Sequence, residues 1–137
     1  MSVMTSPAPP SISALPRGHE FAPVPFAVAP GDVRAYLAAV GDAHDYRGLV
    51  PPLAAVALGL AALQAQLSLP GGALHTGQEV EQLAPVRAGE RLTLSGRIAQ
   101  RSERHGSVIA VIEFDIAARG DTALRARTTI IAPGEGA

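Results

Sequence analysis

The chain has 137 residues with 11 basic and 12 acidic side chains, a net charge of -1, and 47% hydrophobic residues. That length suits one domain with its own core, and the hydrophobic share excludes a chain disordered throughout. Every basic residue other than histidine is arginine and cysteine is absent, which excludes lysine Schiff bases, P-loop lysines, thiolate nucleophiles, disulfides and cysteine-held metals.

With a near-neutral charge and no basic tract, nucleic acid has nothing to hold. No apolar run approaches the roughly 20 residues of a membrane span. The start, MSVMTSPAPPSISALPRG, lacks a basic region followed by an apolar one. The expectation is a cytoplasmic protein that contacts neither nucleic acid nor membrane.

Residues 1–18 are rich in Ser, Pro and Ala and read as a disordered or loosely packed tail. A domain is expected over 19–133, followed by a short C-terminal tail over 134–137. Val24–Val28 is a short strand. Asp32 then caps a helix carrying Val33, Tyr36, Leu37 and Val40 on one side, and Gly41 sits at its C-cap. A polar connection, DAHDYRG, spans 42–48.

Pro51 and Pro52 open a second helix reaching Leu67, apolar nearly all round and therefore buried on most faces. From Leu74 the period changes to two. Strands are expected at Leu74–Leu83, Arg91–Gln100, Ser107–Ala118 and Thr122–Ile131, with turns at Pro85–Gly89, Arg101–Gly106 and Gly120–Asp121. An apolar helix needs a sheet to cover it. The fold class expected is α+β, a curled antiparallel sheet wrapped around a long central apolar helix.

Loops held by a scaffold often carry function, so the 42–48 connection is the first candidate site. Asp42 and His44, two residues apart, form an acid–base pair if the loop turns both onto one substrate. The same residues also read as turn caps and a solvated imidazole. His75 opens a strand on which Glu79 and Glu81 share its face by alternation. Thr93 and Ser95 are lesser candidates, and Arg47, Arg87 and Arg97 suit either a phosphate or solvent. His19, His44, His75 and His105 are scattered without metal-ligand spacing.

Three stretches, FAVAPGDVRAYLAAVGD, VPPLAAVALGL and LHTGQEVEQLAPVRAGERLTLSGRI, together resemble the MaoC-like dehydratase family with its hot-dog fold. The likeness runs from about Phe21 to Ile131 and is strongest to the N-terminal-type half-domain of (R)-hydroxyacyl thioester dehydratase subunits. It implies an enoyl-CoA or enoyl-ACP hydratase/dehydratase subunit with no metal or redox cofactor. The implied substrate is an acyl thioester of coenzyme A or acyl carrier protein. The implied assembly is a homodimer, or a heterodimer with a second MaoC-like subunit.

The family's hydratase motif has a Gly-Asp pair, Asn two residues after the Asp, Pro next, and His five residues after the Asp. Gly41 and Asp42 match the pair. His44 stands at the Asn position, Asp45 at the Pro position and Arg47 at that of the proton-shuttling His, a role a permanently charged guanidinium does not fill. The resemblance thus implies catalytic positions at Asp42 and His44 in a degenerate site. It implies substrate contacts from Arg47, Pro51, Pro52, Leu53 and His75. A non-catalytic, acyl-thioester-binding partner of an active subunit is the alternative. A hot-dog thioesterase is a lesser one, because Leu53–Leu67 holds no carboxylate.

Overall fold

A computed structural model describes residues 8–134. Strand β1 (Val24–Ala27) is followed by helices α1 (Pro30–Val40) and α2 (Pro52–Leu63), then β2 (Leu74–Gln82), β3 (Arg91–Arg104), β4 (Ser107–Ala118) and β5 (Asp121–Pro133). The five strands form one antiparallel sheet in the order β1-β3-β4-β5-β2.

The strand pattern of the second half follows from alternation. Leu92, Leu94 and Ile98 on β3, with Ile112, Phe114 and Ile116 on β4 and Leu124 and Ile130 on β5, are buried under α2. β3 runs on through Arg104, because Ser102, Glu103 and Arg104 pair with Ile109, Val108 and Ser107 in a register that polarity conceals. The turn shrinks to His105-Gly106, and the next is Arg119-Gly120. All four residues have positive φ, the conformation that matches a two-residue turn to the twist of its strands.

α1 begins one turn earlier than capping by Asp32 implied. Ala29 is the N-cap, and Asp32 sits inside the first turn with Oδ2 accepting from the Ala29 amide at 2.9 Å. Gly41 takes the left-handed C-cap conformation, φ 70°.

The expectation of a curled sheet around a long central helix is corrected in both parts. The sheet is open. β1 and β2 lie at opposite edges and share no hydrogen-bonded register, so among the described residues no strand pairing closes it around α2. The helix is also shorter, ending at Leu63 rather than Leu67. Gln66 clamps the backbone beyond it, its Nε2 donating to Ala22 O at 2.7 Å while its Oε1 accepts from Ala22 N at 2.8 Å. Past Leu63 the turn tightens, with Gln64, Ala65 and Gln66 donating three residues back to Ala61, Ala62 and Leu63, and Leu67 still returns to the core.

α2 packs closely on one face of the sheet through Ala54, Ala55, Val56, Gly59 and Leu63. At Gly59 an added Cβ would meet Leu94 Cδ1 at 2.9 Å and Phe26 Cζ at 3.2 Å. Of the tail expected over 1–18, residues 1–7 lie outside the described residues, as do 135–137 of the C-terminal one. From Pro10 the chain is packed: Ile12 and Leu15 are buried, and Ser13 Oγ donates to Pro133 O at 2.6 Å.

Candidate functional site

The 42–48 loop leaves α1 after Gly41 and returns to the body by pairing Leu49 with Arg87, with Val50 N donating to Val86 O. Its carboxylates close turns. Asp42 Oδ1 accepts from His44 N at 2.8 Å and Oδ2 from the Tyr46 hydroxyl at 2.7 Å, while Asp45 Oδ1 accepts from Arg47 N at 2.9 Å. The His44 amide and then the Tyr46 hydroxyl hold the Asp42 carboxyl below the usual aspartate range. The same carboxylate pushes the Tyr46 phenol up. The His44 ring meets the edge of the Tyr46 ring, centroids 4.9 Å apart, and is exposed, as is Arg47 at φ 54°. Asp42 therefore binds the backbone of His44 and not its imidazole.

Pro51 is buried at the N-cap of α2 and Pro52 occupies the first turn. Proline has no N–H, and Ala54 and Ala55 both donate to Pro51 O. The Leu53 amide is left as the donor at this helix end without a partner among the described residues.

A cavity of about 500 Å³ opens between α2 and the β2 side of the sheet. Leu53, Val56 and Leu60 of α2 line one wall; Leu74 and Ile130 line the other. Leu53 and Leu74 are large apolar side chains left 50% and 61% exposed at this site. Among the residues expected to touch substrate, Leu53 and His75 line the cavity, while Arg47, Pro51 and Pro52 do not, nor do Asp42 and His44.

His75 reaches the cavity through a β-bulge. The β2–β5 register shifts between His75 and Gly77, so Thr76 has no partner and His75 pairs with Ile130, whose side chain is buried. Simple alternation set His75 on the face of Glu79 and Glu81. The extra residue turns it to the opposite one, as bulges do. Its Nε2 lies 3.0 Å from Gly77 O.

Two cavity residues were not among the sequence candidates. Thr128 is fully buried and donates its hydroxyl to Gln78 Oε1 at 2.8 Å, and Gln78 Nε2 donates to Arg127 O at 3.1 Å. A sequence signal existed: Thr128 falls between Ala126 and Ile130 on the apolar parity of its strand.

A larger concavity, about 760 Å³, lies on the other face of the sheet. There Arg97, Glu113, Arg127 and Glu79 stand in one cross-strand row, joined by contacts of 3.1, 3.5 and 3.8 Å. Arg97 thus pairs with a carboxylate. This surface is open and lined by charged side chains, several of them paired; the smaller cavity has the apolar walls and few polar groups of a ligand site.

Over residues 16–122 the sequence matches the model of the family described as FAS1-like, dehydratase domain region. No curated protein matches it in sequence. Among solved structures, a monoamine oxidase regulatory protein from an Archaeoglobus species superposes with a TM-score of 0.74 at 12% identity, over 93% of this chain and 97% of that one. The MaoC-like dehydratase from Rhodospirillum rubrum gives 0.70 at 15%, over 93% and 99%. A 3R-hydroxyacyl-ACP dehydratase complex from Mycobacterium tuberculosis gives 0.68 at 21%, over 85% and 96%. The chain has the fold these proteins share, and the match across residues 16–122 makes it a member of the family described as FAS1-like, dehydratase domain region.

Proposed function

We propose that the chain is the acyl-binding subunit of an (R)-specific enoyl-thioester hydratase/dehydratase, acting on a coenzyme A or acyl carrier protein thioester, with a degenerate acid–base loop of its own. The observation that carries this reading is the separation of two parts. The apolar cavity between α2 and β2 suits an alkyl chain, whereas both oxygens of Asp42 accept bonds within the loop and its motif partner is Arg47.

Hydration adds a hydroxyl to C3 and a proton to C2 of the enoyl group, and negative charge develops on the thioester oxygen. A donor aimed at that oxygen is the largest help a scaffold gives. The Leu53 amide supplies it, at the α2 N-terminus where the helix dipole favours negative charge. The proton transfers fall to a second MaoC-like subunit, docked along β2. The edge supports such docking: β2 is nine residues long, lacks proline, and is flanked by the exposed Leu74 and Leu83.

Crotonyl-coenzyme A hydration tests the proposal. The purified chain is expected to bind the acyl thioester without turnover, and turnover is expected on adding a subunit with the intact Gly-Asp and His spacing. Turnover by the chain alone that collapses in Asp42→Asn would overturn the degenerate-site reading.

A further inference from the structure

The polar groups on the β2 side of the cavity are all oriented to accept. Both Gln78 Nε2 hydrogens are committed, to Arg127 O at 3.1 Å and Glu79 O at 3.2 Å, which fixes the amide with its oxygen toward Thr128. The Thr128 hydroxyl donates to that oxygen. What remains for a ligand is the spare lone pair of Gln78 Oε1, held in place by the fully buried Thr128. His75 continues the pattern at the rim. A carbonyl only accepts, so the bond to Gly77 O places hydrogen on Nε2 and leaves Nδ1 of the neutral ring as an acceptor.

A valine at 128 and a leucine at 78 would fill this wall without a polar atom. Each polar atom of the pair already has a partner, so the polar wall adds to binding only where a ligand donor reaches the spare lone pair of Gln78 Oε1. A plain alkyl chain would cover these acceptors and offer them nothing. A cation would meet no carboxylate among the described residues that line the cavity. The chemistry that fits is a neutral donor on an aliphatic chain.

We propose that Gln78 and Thr128 form a specificity element that selects an acyl chain carrying a hydroxyl group, beyond the carbons that react, over the unsubstituted chain. The inference rests on the acyl-thioester reading of the cavity and adds the class of chain it takes.

Calorimetric titration of the full chain with decanoyl-coenzyme A, and with decanoyl-coenzyme A bearing one hydroxyl at successive carbons beyond C3, tests it. At least one hydroxylated isomer is expected to bind about tenfold more tightly than the plain thioester, the effect of one good hydrogen bond. Gln78→Leu should bring that isomer to the level of the plain thioester while leaving the plain one as tight or tighter. Thr128→Val, of matched shape, should lower the same preference and serves if the first variant fails to fold by circular dichroism. Absence of any preferred isomer, or a preference that survives both substitutions, would overturn the specificity element alone. Failure of every thioester to bind would overturn the acyl-binding reading and this inference with it.

Discussion

β1 and β2 both lie at a margin of the sheet, yet their sequences treat that position differently. β1 has four residues, one of them Pro25, and its line along β3 is extended by the irregular segment at Gly18–Phe21, where Gly18 N donates to Ile98 O and Phe21 N to Gly96 O. A short strand with a proline offers few free amides to another chain. β2 has nine residues without proline, a bulge at Thr76, and the cavity directly beneath it. The contrast teaches that the molecule blunts one edge by construction and keeps the other long, beside the apolar opening.

The backbone spacing differs in the same sense, and this gives the largest expected effect. At Gly96, next to the β1 side, an added Cβ would meet Phe114 Cβ at 2.9 Å and the Glu113 carbonyl oxygen at 3.0 Å. At Gly77, on β2, it would meet Thr129 Oγ1 at 3.4 Å and Thr129 Cβ at 3.5 Å, ordinary contact distances. Gly96→Ala should lower unfolding stability by about 1–3 kcal/mol, the range of overpacked sites. Gly77→Ala should stay within about 0.5 kcal/mol of the parent. Urea denaturation of the two variants checks this; equal losses would break the comparison.

Association sharpens it next. On the proposed docking along β2, Leu74→Lys should weaken assembly about tenfold by sedimentation velocity, the loss of roughly 1.4 kcal/mol. Pro25→Thr on β1 should leave the assembly state unchanged. A reversed pattern would assign the interface to the other edge.

The smallest effect lies in the 42–48 loop. The Asp42 carboxyl titrates below the usual aspartate range when folded. Its contribution is therefore fully present above the unfolded aspartate pKa and is lost as pH falls through the lowered folded value. Carboxyl carbon shifts followed by NMR should show Asp42 titrating below an ordinary aspartate. Tyr46→Phe should move it back upward while leaving β2 and the cavity unperturbed.

How far the sequence carried differs by element for physical reasons. Ser107–Ala118 alternates so regularly that both its ends could be read from composition. The end of α2 could not, because Gln64, Ala65 and Gln66 are good helix formers that nonetheless tighten to bonds three residues back, while the Gln66 side chain is held by Ala22, 44 residues away. The facing of His75 was likewise beyond a period-two reading, since the bulge at Thr76 exists only against β5. An open sheet was hidden for the same reason: alternation says which side of a strand is apolar, not which strand stands at each edge. At the candidate site the Gly41-Asp42 pair and the substitution at Arg47 were legible as spacing. That Asp42 turns both oxygens back onto its own loop required the fold.

The strap that holds the N-terminal segment to the last strand also sets where neighbouring domains would emerge. Ser13 meets Pro133, and Ile131, two residues earlier, pairs with Leu74 at the start of β2. Chain entering and chain leaving therefore share one corner of the molecule, next to the mouth of the cavity. A domain joined by a short linker at either end would be tethered at the same place, and its effective concentration at the β2 edge would be set by the linker and not by the concentration of free partner.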